Sequence, residues 1–460
     1  MPVLEPEQVY GRNWLAPRPR ALLGDIMGYG KTAQAVTAAI QAGAQRVAVA
    51  CPAVARLNWE REARKWGWEL PIVRVTEKDE HRLPATRGPV MAIASYDGIV
   101  ASKTLRGALN SGVWDVLICD EAHRLKNPAS NRTRAIYGRH INAQRCLSGK
   151  ALRTWLLSAS IMPNDAGELW THLHALWPEL LWDPLNRRHL DYDSFLARYC
   201  IVEHREYGPR ILGYRDREGL VAILQQIMLR RDTISGLPPL VMREDPYLLE
   251  VDDRRLAELE AHEEFEDLRR VLDSALAREQ DLAGIEDEYI HLATLRRLTG
   301  LLKARPASDV IMGEMGRDDK GLVFAMHREV LEQLENYFTL GGFNPVVVHG
   351  GVPDGQRNRV IDRFNEDPSC RIFVGQVQAC QEVLNLPAAN RVWAVESPWS
   401  PEALAQAIAR AHRRGQQRTV FASTMAIAGS IDELVQRVIA IKTRNIQALM
   451  RERYTTECTQ

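Results

Sequence analysis

Patterned cysteine is missing from this chain. Seven cysteines (Cys51, Cys119, Cys146, Cys200, Cys370, Cys380 and Cys458) are scattered over 460 residues without a single CxxC pair. That argues against a disulfide framework and against a zinc module, and it fits a reducing compartment. No run of about 18 uncharged apolar residues occurs, so no membrane span is expected. The first residues, Met1 to Gly11, lack the apolar core of a signal peptide. A cytoplasmic location, in a prokaryotic or phage-infected cell, or a nuclear one is therefore expected. Net charge is absent too: 59 basic side chains balance 59 acidic ones, so the chain as a whole offers no electrostatic attraction to nucleic acid. Lysine is rare, nine against fifty arginines, a bias too general to assign to one site. Solenoid repeats and low-complexity tracts are also lacking.

What is present is globular. The chain is 45% hydrophobic and 26% charged, and its length suits two domains with decorations. Short apolar or β-branched runs alternate with helical stretches at both ends. They are Val47–Cys51, Val90–Ala94, Val116–Cys119 and Thr154–Ser158 in the first part, and Gly321–Ala325, Val346–His349, Ile372–Gly375 and Val392–Val395 in the last. Such alternation predicts α/β units, each a parallel sheet wrapped by helices. The middle differs. Pro178 to Gly236 is rich in Trp, Tyr, Arg and Leu and poor in strand signals, and Glu250 to Leu301 reads as long helices whose dense acidic face is a solvated one. The division expected is 1–245 with a helical insertion at about 165–236, a helical linker over 246–310, and 311–460 closed by an amphipathic helix from Asp432 to Met450.

Two strings carry chemistry. In "ALLGDIMGYGKTAQAVTAAI" an apolar strand end precedes Gly28, Tyr29, Gly30, Lys31 and Thr32, and good helix formers follow. Glycines let backbone N–H groups curl around phosphate oxygens, and the next helix adds its positive end. Lys31 is placed to neutralise β- and γ-phosphates and Thr32 to ligate magnesium. Asp25 stands where the strict phosphate-loop pattern has its first glycine; taken alone, the string also fits an incidental glycine turn. About ninety residues on, "WDVLICDEAHRLKN" is a short strand ending in Asp120 and Glu121. One carboxylate can hold magnesium while its neighbour deprotonates an attacking water. Alone, the pair also reads as a helix N-cap with a first-turn acid.

Taken with "EQVYGRNWL", "CPAVARLNWEREARKW", "SYD", "LLSASIMPNDAGELW", "FLARYC", "MLRR", "KGLVFAMHREVLEQL", "VVHGGVPDGQRNRVIDRFN" and "ESPWSPEALAQAIARAHRRGQ", these strings resemble, in order and spacing and nearly end to end, the Swi/Snf-type ATPases of helicase superfamily two. The similarity is closest to the annealing-helicase, fork-remodelling branch. The resemblance implies two RecA-like parallel-sheet lobes with helical insertions between them. It implies ATP and magnesium as cofactors, Gln8 as part of an adenine-reading entry motif, and Arg410 and Arg413 as paired arginines reaching the γ-phosphate from the second lobe. Departures stand out: Ile26 where the family has Glu, Ser-Ala-Ser-Ile in the third motif, and Gln381 and Val383 at the two glycine positions of the fifth.

From Arg124 to Arg153 eight basic residues occur without a single acid. This local patch, with Arg132, Arg134 and Arg139 as candidates and Trp399 beside the strand path, is expected to meet DNA phosphates without reading sequence; the plainer reading is a solvated helix face. The resulting expectation is a monomeric, DNA-stimulated ATPase that moves on double-stranded or forked DNA and remodels or reanneals it, recruited by DNA structure or by a protein partner. A strand-separating DNA or RNA helicase and a non-hydrolysing nucleic-acid clamp are the alternatives.

Overall fold

The computed structural model describes residues 2–76, 88–138, 146–162, 165–205, 208–251, 253–261, 263–277, 292–380, 385–398 and 401–451. They fall into two compact units. The first is built on Met1–Val202 and Tyr214–Ile234, the second on Glu203–Gly213 and Ser235–Ala448. The chain crosses between units after Val202, Gly213, Ile234 and Ala448, and the described residues of the expected 246–310 linker belong to the second unit.

The first unit holds a wholly parallel sheet. Its strands are β1 (Arg20–Leu23), β2 (Arg46–Cys51), β3 (Ile72–Val75), β4 (Val90–Ser95), β5 (Trp114–Asp120) and β6 (Ala151–Leu157). Across the sheet the order is β3, β4, β2, β5, β6, β1, with Met228–Leu229 added beyond β1. The central strands are buried along nearly their whole length, as a sheet covered on both faces requires. The covering helices include α1 (Pro6–Leu15), α2 (Lys31–Gln41), α3 (Ala55–Lys65), α4 (Tyr96–Ala101), α5 (Lys103–Ser111), α6 (Asn131–Tyr137) and α7 (Gly167–Leu176). Val36, Val47, Val49, Trp59, Ile93, Ile118, Trp155 and Leu157 meet in one core, each large aliphatic contributing roughly 1.5–3 kcal/mol. The stretch read as poor in strands does carry some: Trp182–Asp183 pairs antiparallel with Arg188–His189.

The second unit repeats the pattern. Its parallel sheet runs Val346–Val348, Ile372–Gln376, Gly321–Ala325, Arg391–Ala394, Val420–Ile427, with Leu240–Met242 and Tyr247–Leu249 both pairing the last strand. The acidic helices Arg254–Glu260 and Glu263–Ala277 are not a solvated spacer. Their apolar stripe, Leu256, Phe265, Leu268 and Leu272, packs on Leu295, Ile427, Ile431, Val435, Val438 and Ile439, and the acidic face is the outer side of that pair. The helix Leu292–Glu314 also buries Lys303 at 1% exposure, where its Nζ donates to Asp432 Oδ2 at 2.8 Å and Met425 O at 3.3 Å. Among the described residues no helix is long and apolar enough to cross a membrane.

Candidate active site

In a parallel sheet wound on both faces, ligands meet the carboxyl ends of the strands. Two such ends carry the predicted residues. β1 runs out at Leu23 into the loop Gly24–Gly30, and β5 runs out at Asp120.

The loop is curled by its own contacts. Gly28 and Gly30 have φ of 79° and 84°, the left-handed region open to glycine. Gly30 has a second reason to lack a side chain, since a Cβ there would stand 2.3 Å from Gln8 Nε2. Lys31 Nζ donates to the carbonyls of Asp25 at 2.8 Å and Ile26 at 3.2 Å. Gly30 caps α2 without any side-chain acceptor, so the first N–H groups of α2 keep no capping side chain, the arrangement in which a helix start takes an anion. Thr32 follows in that first turn, half-exposed.

Gln8 and Tyr29 occupy supporting positions. Gln8 is 3% exposed; its Oε1 accepts from Glu5 N at 3.1 Å and its Nε2 donates to Tyr29 O at 3.1 Å. The Tyr29 ring is buried under the Arg231 guanidinium, 4.4 Å from its centroid, and burial pushes its hydroxyl pKa upward.

Sequence reasoning missed the residues that hold the loop from beneath. Asp25 is fully buried, and its carboxylate is gripped by Arg231, whose Nε donates to Oδ1 at 2.9 Å and whose Nη2 donates to Oδ2. Arg231 Nη2 also donates to Gln34 Oε1 at 2.7 Å, and Gln34 Nε2 donates to Asp25 Oδ2 at 3.2 Å. Arg230 Nη1 donates to Gly24 O at 2.9 Å and Ala159 O at 2.6 Å, joining the loop to the third motif. The string "MLRR" is thus a brace for the loop Gly24–Gly30; the signal was Asp25, an odd acid that needed a partner.

At the end of β5, Asp120 accepts from Trp59 Nε1 at 2.8 Å and from Glu121 N at 3.1 Å. Its pKa is raised to about 6 by burial and by the neighbouring Glu121, against the pull of Trp59 and Lys31. Glu121 has φ of 50°, a left-handed conformation that costs a non-glycine residue on the order of 1–3 kcal/mol. Its Oε2 has no hydrogen-bond partner among the described residues. His123 lies 3.4 Å from Glu121 Oε2 and 3.2 Å from Ser158 Oγ. Burial and the surrounding cations, Arg124 first, hold its pKa down at about 3, so its ring is neutral. The altered third motif closes on itself: Ser158 Oγ donates to Ser160 O at 2.8 Å. Burial lowers the Lys31 pKa, while Glu121, Asp25 and Asp120 oppose that in descending order. Lys31, Asp120 and Glu121 therefore share one electrostatic site.

In the second unit the helix Pro401–Ile408 ends before the paired arginines. Arg410 and Arg413 lie not on a helical face but in the turns that follow. Arg410 O accepts from Leu386 N at 3.1 Å, and Arg413 O accepts from Gln416 N at 3.0 Å. Gln416, buried, pins the turn by donating to Ala389 O at 2.6 Å.

The basic run is less uniform than its sequence. Lys126 Nζ pairs with Glu168 at 2.5 Å and Arg132 Nη2 with Asp97 Oδ1 at 2.9 Å, acids supplied from elsewhere in the fold. Arg134 is exposed on α6. Arg139, Trp399, Gln381 and Val383 lie outside the described residues.

The SNF2-related domain family matches residues 8–239, and the helicase conserved C-terminal domain matches residues 303–415. The mouse protein "DNA annealing helicase and endonuclease ZRANB3" is 27% identical over 440 residues, covering 92% of this chain and 38% of that protein. A Caenorhabditis elegans homologue of "SWI/SNF-related matrix-associated actin-dependent regulator of chromatin subfamily A-like protein 1" is 26% identical, covering 92% of this chain and 58% of its own length. The chain therefore spans about two-fifths to three-fifths of the length of these relatives. A solved structure, "Sulfolobus solfataricus SWI2/SNF2 ATPase core in complex with dsDNA", aligns with 98% of this chain and 95% of its own at 21% identity and a TM-score of 0.45.

Proposed function

We propose, from the premise that this chain belongs to the SNF2-related family, that it is an ATP hydrolase stimulated by DNA and that it moves on duplex or forked DNA to remodel or reanneal it. The observation that carries this reading is that the loop leaving β1, with Lys31 after it, and the Asp120–Glu121 pair ending β5 lie at the carboxyl side of one parallel sheet, within electrostatic reach of one another.

The residues present suit a magnesium nucleotide. Uncapped N–H groups at the start of α2 and the Lys31 ammonium bind and orient the β- and γ-phosphates. Thr32 and Asp120 would hold magnesium, which needs only one or two protein oxygens and supplies neutralisation of phosphate charge. Glu121, whose Oε2 has no hydrogen bond among the described residues, takes the proton from the attacking water. Arg410 and Arg413 supply positive charge to the transferring phosphoryl group. Gln8 and Tyr29, buried and braced, act by shaping the loop beside the base. Arg132 and Arg134 on α6 meet DNA phosphates, Arg139 adds a further phosphate contact, and Trp399 borders the strand.

The test is phosphate release with and without duplex, forked, single-stranded and RNA ligands. Lys31→Ala is expected to lower the rate by at least about a hundredfold; an unchanged rate in that variant sinks the enzyme and leaves a nucleic-acid clamp. Displacement of a strand from forked duplex at the rate of hydrolysis would favour the helicase reading instead.

A further inference from the structure

The peptide that joins Asp120 to Glu121 is held at both ends. Its N–H donates to Asp120 Oδ1 at 3.1 Å. Its carbonyl oxygen, Asp120 O, accepts from Tyr96 Oη at 2.8 Å. A peptide group is a rigid plane, so a hydroxyl bound to its oxygen sets the direction of its N–H as well. Rotation about the next bond, the left-handed φ of Glu121, then aims the Glu121 carboxylate. Tyr96 is 1% exposed, and its ring is anchored on the inside of α4 in the turn that Ser95 caps, with Ser95 Oγ accepting from Gly98 N at 3.0 Å.

The outer side of the same turn faces α6. Arg132 Nη2 donates to Asp97 Oδ1 at 2.9 Å, and its guanidinium carbon lies 5.9 Å from the Tyr96 ring centroid. The engagement is incomplete: Arg132 Nε is buried without a hydrogen-bond partner among the described residues. Helix α6 itself is fixed. Ser130 caps its start, and Tyr137 at its end bonds His172 Nδ1 at 2.9 Å. What can exchange is the partner of the Arg132 side chain.

We propose that Tyr96 and Asp97 are a positioning pair through which DNA bound at α6 sets the orientation of the Asp120–Glu121 peptide. The proposal rests on the function argued above. A DNA phosphate offers the guanidinium two oxygens in place of the single Asp97 contact. Drawing Arg132 outward unloads Asp97 and the Tyr96 ring, and the Tyr96 hydroxyl carries the change to the carbonyl it holds. Asp97 acts as the internal competitor: it holds Arg132 until a phosphate takes it.

The experiment compares wild type, Tyr96→Phe and Asp97→Asn in steady-state ATP hydrolysis with and without duplex DNA, and in DNA binding. Tyr96→Phe keeps the ring and removes only the hydroxyl. Its KM for ATP is expected to stay within about twofold, while the ratio of DNA-stimulated to DNA-independent kcat falls by about fivefold or more, the scale of a coupling between two sites. Asp97→Asn removes the competitor, so DNA binds about two- to fivefold tighter while stimulation falls; a merely structural lesion would not strengthen binding. Wild-type stimulation in a folded Tyr96→Phe overturns the proposal. Should that variant fail to fold, Asp97→Asn decides, because Asp97 is 65% exposed and outside the core; wild-type binding and stimulation there also overturn it. A wild-type enzyme whose hydrolysis ignores DNA would defeat the functional reading and this inference together, whereas responsive wild type with fully responsive variants defeats the inference alone.

Discussion

Each lobe sets an acidic side chain at the carboxyl end of a parallel strand, and the two meet opposite surroundings. Glu396 follows the strand Arg391–Ala394. Its Oε2 accepts from Met326 N at 2.8 Å and His327 N at 3.0 Å, and its Oε1 lies 2.7 Å from His327 Nδ1. Gly300 permits this packing, because a Cβ there would stand 2.3 Å from Glu396 Oε1. Burial pushes the Glu396 pKa up, yet the His327 ring and the backbone N–H groups outweigh it and hold the pKa below its ordinary value. Asp120, on β5, is pushed the other way, to about 6, and Glu121 Oε2 beside it has no hydrogen bond among the described residues. A satisfied buried carboxylate is part of the scaffold. A strained acid beside a carboxylate of raised pKa is the mark of a working site, and its cost is carried by the rest of the lobe.

The sharpest way to break this comparison is to remove one charge from each lobe. Glu121→Gln is expected to lower ATP turnover by about a hundred- to ten-thousandfold, the contribution of a placed general base, with little change in thermal unfolding. Glu396→Gln should do the reverse: hydrolysis within a few-fold of wild type, and a loss of about 1–3 kcal/mol in stability as its hydrogen bonds are disturbed. Phosphate release and urea unfolding on the same two preparations check both. If Glu396→Gln abolishes hydrolysis in a folded protein, the division between scaffold and site fails.

Next in size is the brace beneath the phosphate loop. Asp25→Ala leaves Arg231, 12% exposed, facing the interior without its carboxylate. Breaking a buried pair from one side costs about 3–5 kcal/mol, so this change should lower unfolding stability by that amount. Asp25→Ala with Arg231→Met together should recover part of it. No recovery would mean that the pair is not coupled.

Titration sharpens the comparison further. Asp120 has a raised pKa, so its contribution to stability is fully present below 3.8 and is lost as pH rises through about 6. Asp120→Asn should therefore gain on wild type by about 1–3 kcal/mol between pH 4 and pH 7, measured without nucleotide or magnesium, although it should be inactive. Glu396 has a depressed pKa, so its contribution is present above 4.5 and is lost as pH falls through its lower folded value. Only Glu396→Gln should flatten the acid side of the stability curve. Parallel curves for the two variants would contradict the assignment.

Much of this could be read in advance. The central strands declare themselves by unbroken apolar runs, and "GYGKT" and "CDEAH" declare the loop and the strand end because glycine, lysine and paired carboxylates at those spacings have few other uses. What stayed hidden depends on partners distant in sequence. Nothing local in "MLRR" says that Arg231 answers Asp25, about two hundred residues earlier, or that Arg230 ties Gly24 to Ala159. The acidic helices of 254–277 read as solvated because their charged face dominates the composition; the four apolar residues that bury them count only once Ile431 and Val435 are opposite. The turns that carry the paired arginines are equally hidden: "QAIARAHRRGQ" has helix formers throughout, but Gln416 captures the carbonyl of Ala411 and Gly415 turns the chain with φ of 99°.

The smallest expected effects concern the basic run, where sequence suggested one uniform patch and the fold divides it. Lys126 is neutralised by Glu168 and partly buried, whereas Arg134 is exposed. Arg134→Ala should leave stability within about 0.5 kcal/mol. If Arg134 meets one phosphate, the same change reduces the slope of log binding constant against log salt by about one. Lys126→Ala should leave that slope unchanged and cost up to about 1 kcal/mol in unfolding, because its charge is already spent inside the lobe. Duplex binding measured across a salt series decides it. An equal change of slope in both variants would restore the uniform patch, and no change in either would remove α6 from the DNA path.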